Sequence, residues 1–427
     1  MVEISGTAWI IITAILAASS CALLGSFLVL RRMALLGDAL SHAVLPGIAI
    51  AFFLSGSRAV LPMFLGAAVF GVITTLLVET FHRRWRVPED ASIGIVFTAL
   101  FAIGVVLVSA YAGEVDLDQE CVLYGEIAYT PWDVLLWEGQ EYGPRPVWIL
   151  GTVLVLNLLL VTAFYKELVI SSFDPAMAVS VGISATLMHY VLMGAVSLTT
   201  VAAFESVGAI LVVAMLIVPG AAAYLWSDNL VRILLIAVGF GVIAAVGGYY
   251  LAVVWDSSIA GAMVVVLGVI FLTSLLVAPR QGVVARMCQR LLLSMRVAQD
   301  HMLLNMVRRE EVAEAWRWSR GEVERAATVW RPIARLAFGR LQRARLLTGG
   351  GGEVRLSEAG RLRGVQLLRN HRLWETYLSK LGLPPDHLHD PADAVEHFID
   401  GDLRREIDAE VAAAQVDPQG KEIPRGE

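Results

Sequence analysis

The alternation of apolar and polar stretches divides the chain into two unlike parts. From about Trp9 to Val277, apolar runs of roughly 20 residues follow one another, separated by short polar or basic breaks. A helix rises about 1.5 Å per residue, so a run of that length crosses a hydrocarbon core about 30 Å thick. Nine such runs are read, at about 8–30, 34–54, 60–81, 91–112, 147–165, 184–202, 204–225, 231–253 and 257–278. After Pro279, Arg, Glu, Asp and His become frequent and no run is long enough to span. The remaining stretch of about 145 residues has the length of one soluble domain. The pattern predicts an all-α chain: a polytopic membrane bundle of about nine helices, then a soluble, mainly helical C-terminal domain.

Composition adds little to this. The net charge of −6 is an average over two different parts. Cys21, Cys121 and Cys288 are far apart, which excludes a disulfide framework or a zinc ribbon. The start, "MVEISGTAW", lacks a basic region of the signal-peptide kind, so the first run is expected to act as the targeting signal. Orientation follows from the basic residues of short loops. Arg31, Arg32, Arg83, Arg84, Arg86, Lys166, Arg232 and Arg280 fall on one side if the runs alternate, against Arg58 and Arg145 on the other. The odd count then puts the N-terminus outside and the C-terminal domain in the cytosol of a multi-pass plasma-membrane protein. The long outer loop after residue 111 is acidic, which suits either attraction of cations or plain solvation.

Chemistry enters with "LLGDALSHAVLPGIAIAF", a membrane-length stretch carrying Asp38 and His42. Charge inside a bilayer costs several kcal/mol, and ionisable residues there default to function. Residues four apart share a helix face, so the two side chains project together with Ser41 beside them. A carboxylate and an imidazole at that spacing either share a cation such as Mn²⁺, Fe²⁺ or Zn²⁺, or form a structural hydrogen bond. Two ligands make half a site, and a second subunit across a two-fold axis would supply two more. Glu205, opening the seventh run near the outer face, is an entry ligand or an interfacial acid with its head in water. His189 reads as a structural hydrogen-bonding residue. Pro46 and Pro219 are expected to kink their helices, because proline removes a backbone donor.

"RRMALLGDALSHAVLPGIAIAF" resembles the signature segment of the ABC-3 family of metal permeases, the membrane subunits of bacterial Mn²⁺/Zn²⁺/Fe²⁺ importers. "LYGEIAY", "SSFDPAMAVSVGI" and "MHYVLMGAVSLTTVAAFESVGAILVVAMLIVPGAAAYL" extend the similarity over roughly residues 8–278. The resemblance implies that Asp38 and His42 lie in the translocation path. No G-x-x-x-x-G-K-[ST] loop occurs, so ATP hydrolysis is expected in a separate cytosolic ATP-binding subunit and no catalytic cofactor or enzymatic activity in this chain. Asp174 reads as a helix cap and Pro175 as a first-turn residue after Phe173. In the resembled family this segment docks into the ATP-binding subunit. The further partners implied are an extracytoplasmic metal-binding protein and a second permease, identical or paralogous.

The C-terminal part is similar to metal-dependent repressors of the diphtheria-toxin and manganese type. "TVWRPIARLAFGRLQRARLL" followed by "TGGGGEVRLSEAGR" resembles a winged-helix recognition helix and its wing. "RNHRLWETYLSKLG" and "LHDPADAVEHFIDGDLRREI" resemble metal-binding and dimerisation helices. The implied layout is a permease over 1–280, a linker helix over 281–299, a winged-helix-like domain over 300–360, metal-binding and dimerisation-like helices over 361–415 and a disordered tail over 416–427. His371 and Glu375 are four apart, and His389, Asp393, Glu396 and His397 share one helical face. The resemblance assigns His371, Glu375 and His389 to one ligand group, Asp393, Glu396 and His397 to another, and loosely His301 to an N-terminal ligand. Asp393 stands where the diphtheria-type pattern has cysteine, which moves the site toward harder Mn²⁺ or Fe²⁺. Arg331, Arg335, Arg340, Arg343 and Arg345 are enough for phosphate contacts. The membrane tether, and the acids and tryptophans of "REEVAEAWRWSRGEVERAATV", weigh against DNA. The expected role is a cytosolic metal sensor that feeds back on transport, with tethered DNA binding or passive dimerisation as alternatives. For the whole chain, the competing classes are a membrane-bound metal-responsive transcriptional regulator and a gradient-driven secondary transporter.

Overall fold

A computed structural model describes residues 5–56, 60–111, 127–137, 140–312, 317–349, 352–384, 388, 401–411 and 416–424. The chain forms two compact units, Met1–Ala285 and Arg286–Glu427.

The first unit begins with α1 (Gly6–Leu30), α2 (Leu35–Ala43), α3 (Leu45–Ser55), α4 (Val60–Trp85) and α5 (Glu89–Tyr111). A short 3₁₀ turn, Ile127–Trp132, and a hairpin, β1 (Val134–Trp137) and β2 (Gln140–Pro144), follow. Then come α6 (Arg145–Ala163), α7 (Tyr165–Phe173), α8 (Pro175–Ser180), α9 (Ala185–Val207), α10 (Ala209–Tyr224), α11 (Leu230–Trp255) and α12 (Ile259–Val277). Eight helical segments among the described residues are long and apolar enough to cross a membrane, and α10, with 16 residues, is shorter. At 1.5 Å per residue α10 covers only about 24 Å. Glycine decides this. Gly208, at φ 80, takes a conformation that side chains disfavour, and it ends α9 and starts α10. The sixth run therefore extends to Val207, and Glu205 lies in the last turn of α9 rather than opening the seventh run.

Starts and stops follow local chemistry. Ser5, Ser184, Asn229 and Ser258 each accept a backbone N–H of the helix they precede. The second run is broken: Val44 ends α2 and starts α3, and Pro46 occupies the first turn of α3, where its missing N–H costs nothing. Pro219 lies inside α10 without breaking it.

Packing centres on α1, whose positions from Ala17 to Leu28 are all buried and which meets α6, α9, α10 and α11. Small residues bring these backbones together, as membrane interfaces require when lipid is as apolar as the side chains. A Cβ on Gly25 would overlap the carbonyl of Leu216, and one on Gly220 would press on the Ser26 backbone. Phe27, Leu24, Leu192, Leu211 and Met215 fill the space between. Asn157 donates to Thr199 at 2.8 Å across α6 and α9. Helices α2 to α5 form a second group, joined to the first through α9 and α10.

Helix α13 (Val283–Glu310), nearly all of which belongs to the second unit, is one continuous helix that includes most of the region read as a linker. It is followed by β3 (Trp318–Ser319), α14 (Arg320–Ala326), α15 (Arg331–Arg343), β4 (Leu347–Thr348), β5 (Glu353–Leu356), α16 (Glu358–Lys380) and α17 (Gly401–Val411). The three short strands pair antiparallel in the order β3-β5-β4. Met302, Leu303 and Met306 of α13 pack with Trp318, Phe338, Leu341, Val354 and Leu368 in one core. This is a winged-helix arrangement, with β4 and β5 as the wing.

Residues 416–424, read from sequence as part of a disordered tail, are packed. Val416 bridges Glu422, and Ile423 joins Leu373, Ile407 and Val411 in a small core. The buried Arg372 contacts both carboxylate oxygens of Glu311 at 3.0 and 2.6 Å and the carbonyl of Glu422 at 2.6 Å, and lies 3.5 Å from Asp417. A buried guanidinium needs such partners, and the tail supplies them.

Candidate functional site

Helix α2 has two faces. Leu36, Ala39, Leu40 and Ala43 are buried against the bundle. Asp38 and His42 project the other way, with side chains 53% and 30% exposed and the Asp38 Oδ1 to His42 Nε2 distance 3.9 Å. In the single chain the pair faces outward. Phe101 and Phe97 flank the imidazole, with ring centroids 5.6 and 6.1 Å away. Ser41 is buried, and its hydroxyl donates to the Asp38 carbonyl at 2.6 Å, so it belongs to the helix and not to the pair.

Donors that each lie about 2.1 Å from a transition metal are at most about 4.2 Å apart. The 3.9 Å separation is within the span that one cation can bridge. Among the described residues no group of three or more His, Cys, Asp or Glu side chains is placed to hold a metal. Glu205, exposed on α9, is not brought to the pair; its electrostatic neighbours are Arg145 and Asp133.

At one end of the bundle the chain turns between α7 and α8. Asp174 caps α8, accepting the Met177 N–H at 2.9 Å, and Pro175 fills the first helical position. The sequence-predicted start is present. Phe173, Met177, Val179 and Val181 stand 55–65% exposed around it, an apolar knob on a short capped helix.

The same end holds a cluster that was not singled out in the sequence. Glu79 on α4 is 5% exposed, its carboxylate contacts Arg83, and its Oε2 lies 3.0 Å from His189 Nε2 on α9. The structural role expected of His189 is this pairing. A cavity of about 270 Å³ beside it is lined by Arg31, Glu79, His82, Arg83, Glu89 and His189, among others. The available signal was an acid inside the apolar run "GVITTLLVETF".

In the second unit, His371 and Glu375 are both buried on α16, with Nε2 and Oε1 3.1 Å apart. His301, on α13, has its Nδ1 2.9 Å from the Thr328 hydroxyl. His389, Asp393, Glu396 and His397 lie outside the described residues. Arg331, Arg335, Arg340, Arg343 and Arg345 are exposed on or just after α15. Two of the surrounding arginines are engaged by Glu324, Arg320 at 2.8 Å and Arg335 at 3.9 Å.

Known proteins resemble the two units separately. Residues 357–425 match the family described as iron dependent repressor, metal binding and dimerisation domain, a match that begins after the wing and takes in α16. The manganese transport system membrane protein MntD of Bacillus subtilis is 50% identical over 279 residues, 65% of this chain and 94% of that protein. The zinc transport system membrane protein TroD of Treponema pallidum is 45% identical over 277 residues, 65% of this chain and 75% of that protein. A solved structure, PsaBC from Streptococcus pneumoniae in complex with Fab, superimposes with a TM-score of 0.55 at 32% identity, over 65% of this chain and 94% of that one. Residues 4–278 match the ABC 3 transport family, and the chain belongs to that family of transport permeases.

Proposed function

We propose that the chain is the permease subunit of an ATP-driven importer for a divalent transition metal, with Mn²⁺, Zn²⁺ and Fe²⁺ as candidate cargo. The observation that carries this is the outward-facing Asp38–His42 pair on a membrane-length segment. A carboxylate facing hydrocarbon is expensive, so this face is one for protein and water, not for lipid. A second permease subunit packed there brings its own pair and completes four oxygen and nitrogen ligands, a set suited to these ions. Relatives named for manganese and zinc transport point to the same cargo class.

The exposed Phe173, with Asp174 and Pro175 behind it, is the contact offered to a cytosolic ATP-binding subunit. With that end in the cytosol, the N-terminus is outside and the C-terminal unit lies in the compartment that receives the metal. An extracytoplasmic binding protein delivers the ion to the opposite end, where Glu205 stands. The C-terminal unit then acts as a sensor: His371, Glu375, His389, Asp393, Glu396 and His397 hold divalent metal, His301 lies at its margin, and occupancy favours a resting state. Product binding shifts a transporter only through differential affinity for its states, typically by about 1–3 kcal/mol.

The test is Mn²⁺ uptake into proteoliposomes holding the permease and its ATP-binding subunit, supplied with binding protein and competed with Zn²⁺ and Fe²⁺. ATP-dependent uptake is expected; uptake driven by an ion gradient without ATP would overturn the reading. Removal of residues 300–427 is expected to raise accumulation at high external metal without abolishing uptake. An unchanged saturation level would leave the second unit as a passive dimerisation module.

A further inference from the structure

Arg31 caps α1, directly before the turn into α2. Its guanidinium reaches three side chains on two other helices. Nε donates to Ser172 Oγ at 2.9 Å, one terminal nitrogen donates to Ser171 Oγ at 3.0 Å, and the other lies 3.5 Å from His189 Nδ1. The two serine hydroxyls donate to the Leu168 carbonyl, at 3.2 Å from Ser171 and 2.5 Å from Ser172, which leaves their lone pairs for the guanidinium. His189 in turn meets Glu79, which contacts Arg83. One side chain thus links the ends of α1, α7, α9 and α4. Burial lowers the Arg31 pKa to about 10, opposed by the nearby Glu79 carboxylate, so the group stays charged at neutral pH.

The position is what gives the contact meaning. Ser171 and Ser172 precede Phe173 and Asp174, the segment offered to the ATP-binding subunit. On the other side, Arg31 is seven residues before Asp38. Between them lie one tight turn, with Arg32 in the left-handed region at φ 64 and Met33 buried, and the first turn of α2. There is little slack in that path: the turn is closed by Arg32 N–H to Val29 and Met33 N–H to Leu28, at 3.1 and 2.9 Å. Helix α2 is nine residues long and carries both Asp38 and His42. A displacement of the α7–α8 corner that pulls the two serines therefore pulls the end of α1 and tilts a short rigid helix.

We propose that Arg31 is the positioning residue that couples the ATP-driven movement of the α7–α8 corner to the Asp38–His42 helix, an inference that rests on the permease reading above. A planar fork with several fixed donors holds two hydroxyls and an imidazole in one geometry, which a lysine point charge does not reproduce.

The experiment uses the full chain assembled with its ATP-binding subunit in proteoliposomes, with Mn²⁺ as cargo. The readout is Mn²⁺ transported per ATP hydrolysed, with assembly checked by co-purification. Arg31→Ala is expected to leave assembly intact and ATP hydrolysis within about twofold of wild type, and to lower the ratio at least tenfold. Arg31→Lys should lower it by an intermediate factor. Ser171→Ala with Ser172→Ala should lower it at least threefold, and adding these changes to Arg31→Ala should cause no further fall. An unchanged ratio in Arg31→Ala beside a transporting wild type overturns the coupling role alone. Loss of assembly in both Arg31→Ala and Arg31→Lys makes the contact a structural one and overturns it as well. A wild-type complex that moves no metal overturns the permease reading and the coupling role with it.

Discussion

Asp38→Asn separates a role in the metal path from a role in the fold. The substitution keeps the volume of the side chain and removes its charge. The carboxylate is half exposed and 3.9 Å from His42, so the pair is screened and adds at most about 1 kcal/mol to stability. Ser41 donates to the main-chain carbonyl of residue 38, a bond the substitution leaves alone. For a cation the balance is different. Two unit charges 4 Å apart attract by about 4 kcal/mol at an effective dielectric near 20, so a divalent ion bound closer than that gains at least about 8 kcal/mol. If desolvation returns about half, about 4 kcal/mol is lost with the charge, nearly 10³ in occupancy at about 1.4 kcal/mol per decade. The expected outcome is a melting temperature within a degree or two of wild type, intact co-purification with the ATP-binding subunit, and ATP-dependent Mn²⁺ uptake reduced at least a hundredfold. His42→Ala should behave alike. Uptake within twofold of wild type would refute the placement of this pair in the path. A melting temperature that falls together with uptake would show that the carboxylate holds the fold instead.

Gly25→Ala should destabilise the first unit by about 1–3 kcal/mol through overpacking against the Leu216 carbonyl, lowering the melting temperature in detergent, while Gly94→Ala, with open space around it, should not. Phe173→Ala with Asp174→Ala should weaken co-purification of the ATP-binding subunit while Mn²⁺ binding at the Asp38–His42 pair is kept; unchanged recovery would place that contact elsewhere. Arg372→Ala should cost about 3 kcal/mol and expose residues 416–424 to limited proteolysis, because it leaves the buried Asp417 without its cation. In the capping box at the start of α14, the Ser319 N–H and hydroxyl, each 2.9 Å from the Glu322 carboxylate, hold that carboxylate below the usual range. A lowered folded pKa means that its stabilisation is present above the ordinary carboxylate range and is lost as pH falls through the lowered value. Hydrogen exchange at the first-turn amides of α14 should therefore accelerate on acidification in wild type, and much less in Glu322→Gln, which keeps the acceptor without the charge.

Much of the architecture was legible because lipid makes it a local matter. A segment in hydrocarbon must satisfy its own backbone, so length and apolarity alone announce a helix, and most of the expected spans are present within a few residues. Caps are local too, which is why Asp174 and Pro175 marked the start of α8 and why Pro46 marked the break between α2 and α3. The i, i+4 spacing of Asp38 with His42, and of His371 with Glu375, placed each pair on one helix turn before any coordinates. Non-local facts stayed hidden. Which way α2 turns is decided by Leu36, Leu40 and Ala43 finding the bundle, and this sends Asp38 outward. Hydropathy counted the α10 region as one long run, because an apolar stretch does not record that Gly208 takes a positive φ. Glu79 and His189 are 110 residues apart, and only the packing of α4 on α9 pairs them. The tail after residue 415 is polar enough to read as disorder, yet Arg372, buried by α16, leaves a charge that Asp417 and the Glu422 carbonyl satisfy. The sequence by itself determined the segments, because propensity, capping and hydrophobic length act over a few residues. The tertiary structure decided which polar groups share a site, because a buried or membrane-embedded charge takes whichever partner packing brings within reach, however far away in the chain.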